Sequence, residues 1–477
     1  MKKIATIFFA FILVLSSLSV FGCADKGEEN KGDTSNRVYL DNLPDNLDFG
    51  GEEIVFVYAE GGGYDFTMRS IEPDEDSADN VDRKIYERNT AVETRLNVDI
   101  TAIQAASDIR GLQGAINSSL AAASGEYDVV AGYQYYDITL ASQGYLINYN
   151  DLGSSLYPDA DYIDLEADYW NKQYIDSISY KDSIYWITGD LSLRYLGGMY
   201  CTYVNETIYN DKLVDTYGSI YEIAKKGDWT MDLLNEMAAL CYEDKGVDGT
   251  DEEDMLGYAW ECNDPIDGIA IGAGIQFSTT NLDGSMEMTL RTQRSITFVE
   301  KLDTLLNSPY TLRVTHNDSA NVMNQFASGN VAFHVNKLFQ AETYLRDMTD
   351  NYYIIPAPKL NASQEQYITG IHDGCTLYGI PYDAENVAAS AATLEALAAE
   401  SLRIVTPEYY ESSLKFKYTR DDISAEMIDI MRSCADTNFA AAWSVSCNNI
   451  VQYFRNNHTA YRHILPSVSQ HIQRVYL

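Results

Sequence analysis

Between Glu52 and Tyr133 the chain alternates strand and helix signals, and this alternation constrains the fold more than any other feature. EEIVFVYA (Glu52–Ala59) is a β-branched and aromatic run that stops at Gly61-Gly62-Gly63. Val81–Leu96 is charged and helix-compatible, and NVDITAI (Asn97–Ile103) returns to strand character. Gly111–Ala123 reads as a helix ending before Gly125, and YDVVAGY (Tyr127–Tyr133) as the third strand. Strand, helix, strand, helix, strand at this spacing predicts a parallel α/β sheet.

Beyond it lies a long tyrosine-rich stretch, then two expected strands, IYWITG (Ile184–Gly189) and GMYCTYVN (Gly198–Asn205). Thr230 is placed to cap a helix over TMDLLNEMAALCYE, and Arg294–Leu306 reads as another. NVAFHVNK (Asn330–Lys337), YYIIPAPKL and TLYGIPYD are further strand signals, followed by an alanine-rich helix over Ala384–Ala399 and a mostly helical pattern from Ser424. A chain of 477 residues exceeds what one core supports, about 250–300 residues, so two or three lobes are expected. No internal repeat is visible.

The formal charge of −38 excludes nucleic-acid partners, since no basic patch offsets it. Thirty-seven tyrosines against fifteen phenylalanines favour rings that suit half-wet clefts. Cys201, Cys241, Cys262, Cys375, Cys434 and Cys447 are dispersed without a C-x-x-C pair, which supports no metal site and leaves their pairing open. EDKGVDGTDEED (Glu243–Asp254) has Gly249 where a calcium loop turns. However, it has Gly246 at a ligand position and Met255 in place of the bidentate glutamate, so it reads as a solvated acidic turn. No cofactor and no metal is expected.

The N-terminus has a different grammar. Lys2 and Lys3 precede an apolar run, Ile4–Val20, broken only by Thr6, Ser16, Ser17 and Ser19, which is signal-peptide anatomy. Val20-Phe21-Gly22-Cys23 resembles a bacterial lipobox, with Phe21 bulkier than the pattern prefers. The resemblance implies cleavage after residue 22 and a lipid on Cys23. The polar residues from Ala24 onward read as part of a flexible tether, 23–50.

Several segments together resemble the extracellular solute-binding proteins of bacterial ABC importers, in the carbohydrate-type group that includes maltose-binding protein. VDRKIYERNTAVETRLNVDI resembles the family's first helix and second strand, and YDVVAGY its Tyr-Asp strand near the cleft. GDWTMDLLNEMAAL (Gly227–Leu240) resembles its Trp-Thr helix start, while FASGNVAFHV (Phe326–Val335) and YYIIPAPKL resemble consecutive strands. TLYGIPYDAENVAASAATLEALA resembles the crossover strand and its helix. These pieces run in family order from Glu52 to Ala398; the tail from Arg403 matches loosely.

The resemblance implies an α/β, two-lobed, type II binding-protein fold with hinge strands. Lobe one would comprise 51–199 plus 371–402, and lobe two 200–370 plus 403–477. It further implies a monomeric, non-enzymatic receptor on the extracellular face of the membrane, held there by the lipid, that binds a sugar and serves ABC permease subunits. The alternatives are a surface glycan-degrading enzyme, for which no local motif singles out a carboxylate pair, and a sensor or adhesin on the same fold.

A sugar needs aromatic planes for its faces and Asp, Asn, Gln or Arg for its hydroxyls, at the carboxyl ends of strands. Tyr64 and Asp65 follow the first strand through glycines that allow close approach or form only a turn. Tyr133 and Gln134 end YDVVAG, where family members often place a stacking aromatic. Asp190 and Arg194 follow IYWITG, and an ion pair between them bracing the hinge is the competing reading. Trp260, with Glu261, is cleft platform or core. Asn336 and Phe339 end NVAFHVNK, His372 and Asp373 sit at the return crossing, and Trp443 lies where a C-terminal aromatic closes the site. Trp229 reads as packing.

Overall fold

The computed structural model describes residues 39–61, 66–73, 76–181, 183–246, 250–261, 265–281, 285–290, 292–314, 319–413, 423–447, 449 and 455. In chain order the strands are β1 (Glu52–Ala59), β2 (Val98–Ala106), β3 (Val129–Tyr133), β4 (Tyr200–Asn205), β5 (Leu256–Glu261), β6 (Ser278–Thr280), β7 (Met286–Met288), β8 (Thr311–Val314), β9 (Val331–Lys337), β10 (Tyr352–Pro356), β11 (Thr369–Gly370), β12 (Thr376–Gly379) and β13 (Ala435–Asp436).

The apolar run of β1 is buried on both faces, Ile54, Phe56 and Tyr58 in one core cluster and Val57 and Ala59 in the other, as a central parallel strand requires. The helix Asn80–Leu96 leads from β1 to β2. The Asp79 side chain accepts from Val81 N at 2.8 Å to start it, and Asn97 at φ 52° ends it, a conformation asparagine tolerates. Val81, Ile85, Val92 and Leu96 form its buried stripe. The first sheet has the order β12-β3-β1-β2, parallel except for β12, which returns antiparallel to β3.

The second sheet has the order β10-β4-β9-β5-β8. Its β9, β5 and β8 are parallel, and β4 runs antiparallel between β9 and β10. Thr230 caps the helix Met231–Cys241 as the sequence predicts, its Oγ1 accepting from Leu233 N at 3.3 Å. That helix lies so close to β5 that a Cβ at Gly257 would come 2.0 Å from the Ala238 carbonyl oxygen. Trp229 stacks on Phe333 at 5.7 Å in this core, the packing role its position predicts.

The two sheets are joined by extended crossings. Met199 and Ile371 form an antiparallel bridge, and the short helix Leu193–Gly197 precedes the first of them. A third connection continues the helix Val387–Glu400 through widened π-type turns at Ser401–Val405 and Tyr409–Ser413. The buried Arg88 ties the β1–β2 helix to this connection, donating to Ser401 Oγ at 3.0 Å. The helix Ile423–Ser433 packs on β10.

Two expectations need correcting. IYWITG is not a ladder strand: Ile187 bridges Tyr378 once, Ile184 bonds back to Asn148 and Tyr149, and Gly189 bridges Trp170, so its backbone is divided among three neighbours. The tether does not extend to residue 50. Asp41 is buried in an ion pair with Arg95 at 2.7 Å, Tyr39 lies beneath the same guanidinium, and Phe49 N donates to Leu96 O, so 39–50 are docked on the body. Cys201, Cys241, Cys375, Cys434 and Cys447 are free thiols; Cys262 lies outside the described residues.

Candidate functional site

The carboxyl ends of β1, β3 and β9 meet the crossings at one place. Glu60, immediately after β1, is 2% exposed, and its carboxylate accepts from the amides of Thr67 at 2.7 Å and Met68 at 3.0 Å. It thereby anchors the first turn of the helix Phe66–Ile71. The same carboxylate pairs with Arg194 Nη2 at 3.0 Å. The guanidinium carbon of Arg194 stands 5.4 Å from the Phe66 ring centroid and 5.3 Å from that of Tyr133. Phe66 also meets Phe339 at 5.4 Å across the two sheets, and Phe339 meets His372 edge-on at 6.4 Å. Lys337 Nζ lies 5.2 Å from the Phe339 centroid. Tyr133, Arg194, Phe339 and His372, spread through the sequence, are therefore neighbours. Tyr64 and Asp65 lie outside the described residues.

A second string of polar groups continues from Tyr133. Gln134 is buried, accepts from the Tyr174 hydroxyl, and donates its backbone amide to Cys375 O at 3.0 Å. Asp373 contacts His372 Nε2 at 3.4 Å and Arg455 at 2.8 Å, and Arg455 is also paired with Asp267. Gln134, Asp267, Ile371, Asp373 and Thr437 line a cavity of about 20 Å³, room for roughly one water molecule. That cavity is too small to admit a sugar. A larger concavity, about 630 Å³, runs instead along Tyr149, Ile163, Leu165, Lys172, Asp176 and Lys181. Its one aromatic, Tyr149, is buried with its hydroxyl on Tyr378 O. That groove offers no free ring face, so the cluster at the crossings is the candidate site.

The other expected site residues are placed elsewhere. Trp260 is fully buried in β5 beside Tyr258. Asn336 spends its side chain on His334 Nε2 at 3.1 Å and on Lys337 N at 2.9 Å. His334 Nδ1 is then left to donate to Ala259 O, and burial pushes this imidazole down to about 4, so it is neutral. Asp190 and Arg194 do not pair with each other: Asp190 bonds Arg432 at 2.6 Å and Arg194 bonds Glu60. Burial raises the Asp190 carboxyl to about 6 against the pull of Arg432. Trp443 stacks on Phe439 and donates Nε1 to Ile178 O at 2.8 Å, a packing position. In the acidic turn, Asp254 accepts from the amides of Lys245 and Asp251, and no metal-holding group of His, Cys, Asp or Glu exists among the described residues.

Sequence reasoning missed Glu60 and Phe66. The strand-end rule that selected Tyr133 applies equally to Glu60, and was not carried through at β1.

Two α/β sheets joined by extended crossings, each with an antiparallel return strand, define the two-lobed type II binding-protein fold, and solved structures bear this out. An ABC substrate-binding protein of Listeria monocytogenes, solved with cycloalternan, aligns at TM-score 0.54 with 13% identity over 89% of this chain and 99% of that one. The GacH receptor of Streptomyces glaucescens, solved with acarbose, aligns at 0.54 with 14% identity over 89% and 97%. UgpB of Mycobacterium tuberculosis, in complex with glycerophosphocholine, aligns at 0.54 with 14% identity over 89% and 97%. No protein-family model and no curated protein sequence matches the chain.

Proposed function

We propose that this protein is an extracellular solute receptor that captures a sugar or oligosaccharide between its lobes and presents it to an ABC permease. Anchoring by a lipid on Cys23 completes the reading. The observation that carries it is the convergence of Tyr133, Phe66, Phe339 and His372 with the Glu60–Arg194 pair at the crossings between two sheets. Aromatic planes beside bidentate polar groups suit a ligand with C–H faces and hydroxyl rims. The lobe division is read as 51–199 plus 371–402 against 200–370 plus 403–477, with 39–50 added to the first. The architecture supports closure by hinge rotation, and the closed form is the one a permease would read. No described helix is long and apolar enough to cross a membrane.

Thermal shift and tryptophan fluorescence across a panel of glucose, galactose, xylobiose, cellobiose and maltotriose test this. At least one sugar should stabilise the protein saturably and be recovered unchanged. Stabilisation by amino acids, peptides or polyamines with none by sugars would reject the carbohydrate assignment, and hydrolysis of the bound sugar would reject the receptor.

A further inference from the structure

In this structure a cation already stands against the aromatic cluster. Arg194 places its guanidinium carbon 5.4 Å from the Phe66 centroid and 5.3 Å from that of Tyr133, close enough to both ring faces for cation–π attraction. Both rings are half-exposed, whereas Arg194 is only 6% exposed, so the cation fills the space between them rather than framing it. Its origin is fixed as well. Arg194 projects from the helix Leu193–Gly197, which is capped by the Ser192 side chain on Tyr195 N at 3.0 Å and tied to Ser70 Oγ through Leu193 N.

We propose that Arg194 is an internal occupant of the slot between Phe66 and Tyr133, and that ligand binds by exchanging with it, which makes the site selective for neutral polyols. This rests on the receptor reading above. Glu60 explains both parts. Its carboxylate stays in place when Arg194 leaves, because the amides of Thr67 and Met68 hold it independently. A neutral sugar can replace the guanidinium at the two rings and at Glu60: C–H groups take over the ring faces and hydroxyls donate to Glu60. A uronic acid or a phosphorylated sugar would set its own negative charge against Glu60 and lacks that exchange. Opening of the cleft hydrates the Glu60–Arg194 pair and lets the two separate. The competing role for Arg194, a direct donor to ligand hydroxyls, makes the opposite prediction for its removal.

The test uses the full chain and its Arg194→Ala and Arg194→Met variants, the second keeping the apolar stem if the first folds poorly. The first probe is methylguanidinium chloride at millimolar concentration. The variants should gain saturable thermal stabilisation that the wild type lacks, because the vacated slot and Glu60 accept the small cation. An equal response of wild type and variants overturns the slot. The second probe pairs glucose with glucuronate and galactose with galacturonate. The neutral sugar that binds wild type should bind the variants about threefold tighter or better, since no occupant has to be displaced, and neither uronate should bind wild type. A loss of about tenfold in the variants makes Arg194 a ligand contact and overturns the proposal while leaving the receptor intact. If no sugar binds any of the three proteins, the sugar-receptor reading falls, and the methylguanidinium result still decides whether Arg194 occupies a slot.

Discussion

Tyr133 and Trp260 are both candidate ligand platforms from sequence, and the structure separates them by environment. Tyr133 is half-exposed at the crossings beside Arg194, whereas Trp260 is fully buried in β5. Tyr133→Ala should therefore cut sugar affinity about tenfold or more while changing the stability of the free protein by at most about 1 kcal/mol. Trp260→Ala should cost about 3–5 kcal/mol through the cavity it opens. Sugar titration and urea unfolding of the two variants check both, and a Tyr133→Ala protein that unfolds early would make that ring core. The residues that define the site were only partly legible, for a reason visible in the pairings. Glu60 acquires meaning from Arg194, 134 positions away, and Phe66 from Phe339. Neither partner leaves a mark in its neighbour's local sequence. The same holds for Asp190, which has a nearby arginine in sequence yet bonds Arg432, 242 positions away.

At the scale of elements, local chemistry spoke more clearly. Glu52–Ala59 was readable end to end, and the helix over Asn80–Leu96 began within one residue of its expected start, because apolar runs and caps act within a few residues. β5 was not read as a strand. Its LGYAW segment is short, follows an acidic turn, and contains Gly257, a weak strand former that the close approach of Ala238 requires. IYWITG erred in the other direction, with strand chemistry but its hydrogen bonds shared among three partners. The alanine-rich helix hides a further dependence. Glu395, 1% exposed, accepts from the Tyr169 hydroxyl, from Trp170 Nε1 at 2.8 Å and from Asp164 N at 3.2 Å, fastening the 164–170 loop to the helix. Glu395→Ala strands three donors and should cost about 2–4 kcal/mol in urea unfolding with an unchanged m value. Glu395→Gln, which retains one carbonyl acceptor, should cost about half as much. A loss below about 0.5 kcal/mol for the alanine variant would mean the loop is held by other contacts.

For the whole molecule, the order of strands and helices predicted one parallel sheet and the family resemblance implied the second lobe, while the contacts that lock the crossings, such as Arg88 to Ser401, span up to 313 positions and could not be anticipated. The molecule also carries a pH dependence that no single element displays. Burial raises the carboxyls of Asp137 and Glu395 to about 7 and those of Asp128 and Asp190 to about 6. Asp137 is the clearest of them: its Oδ2 accepts from Tyr133 N at 2.8 Å, and its buried Oδ1 has no hydrogen-bond partner among the described residues. In the unfolded chain such groups titrate near 4. Between about pH 4 and 7 the folded state therefore binds more protons, and the stability these acids contribute is fully present near pH 4 and lost as pH rises through 6 and 7. His334 acts in the opposite sense. Its folded value of about 4 lies below the unfolded value near 6.5, so it removes stability as pH falls from 6.5 towards 4. Four acids outweigh one histidine, and self-repulsion at a formal charge of −38 adds to their side at high pH. The melting temperature should therefore peak near pH 5 and fall by about 5 °C or more by pH 8 at constant ionic strength. Asp137→Asn isolates one contribution, because asparagine keeps an acceptor for Tyr133 N without the buried charge. It should be more stable than wild type at pH 8 and no more stable at pH 5, as read by calorimetry. A melting temperature that is flat or rises from pH 5 to pH 8 would mean that these carboxyls ionise in the folded state as readily as in water.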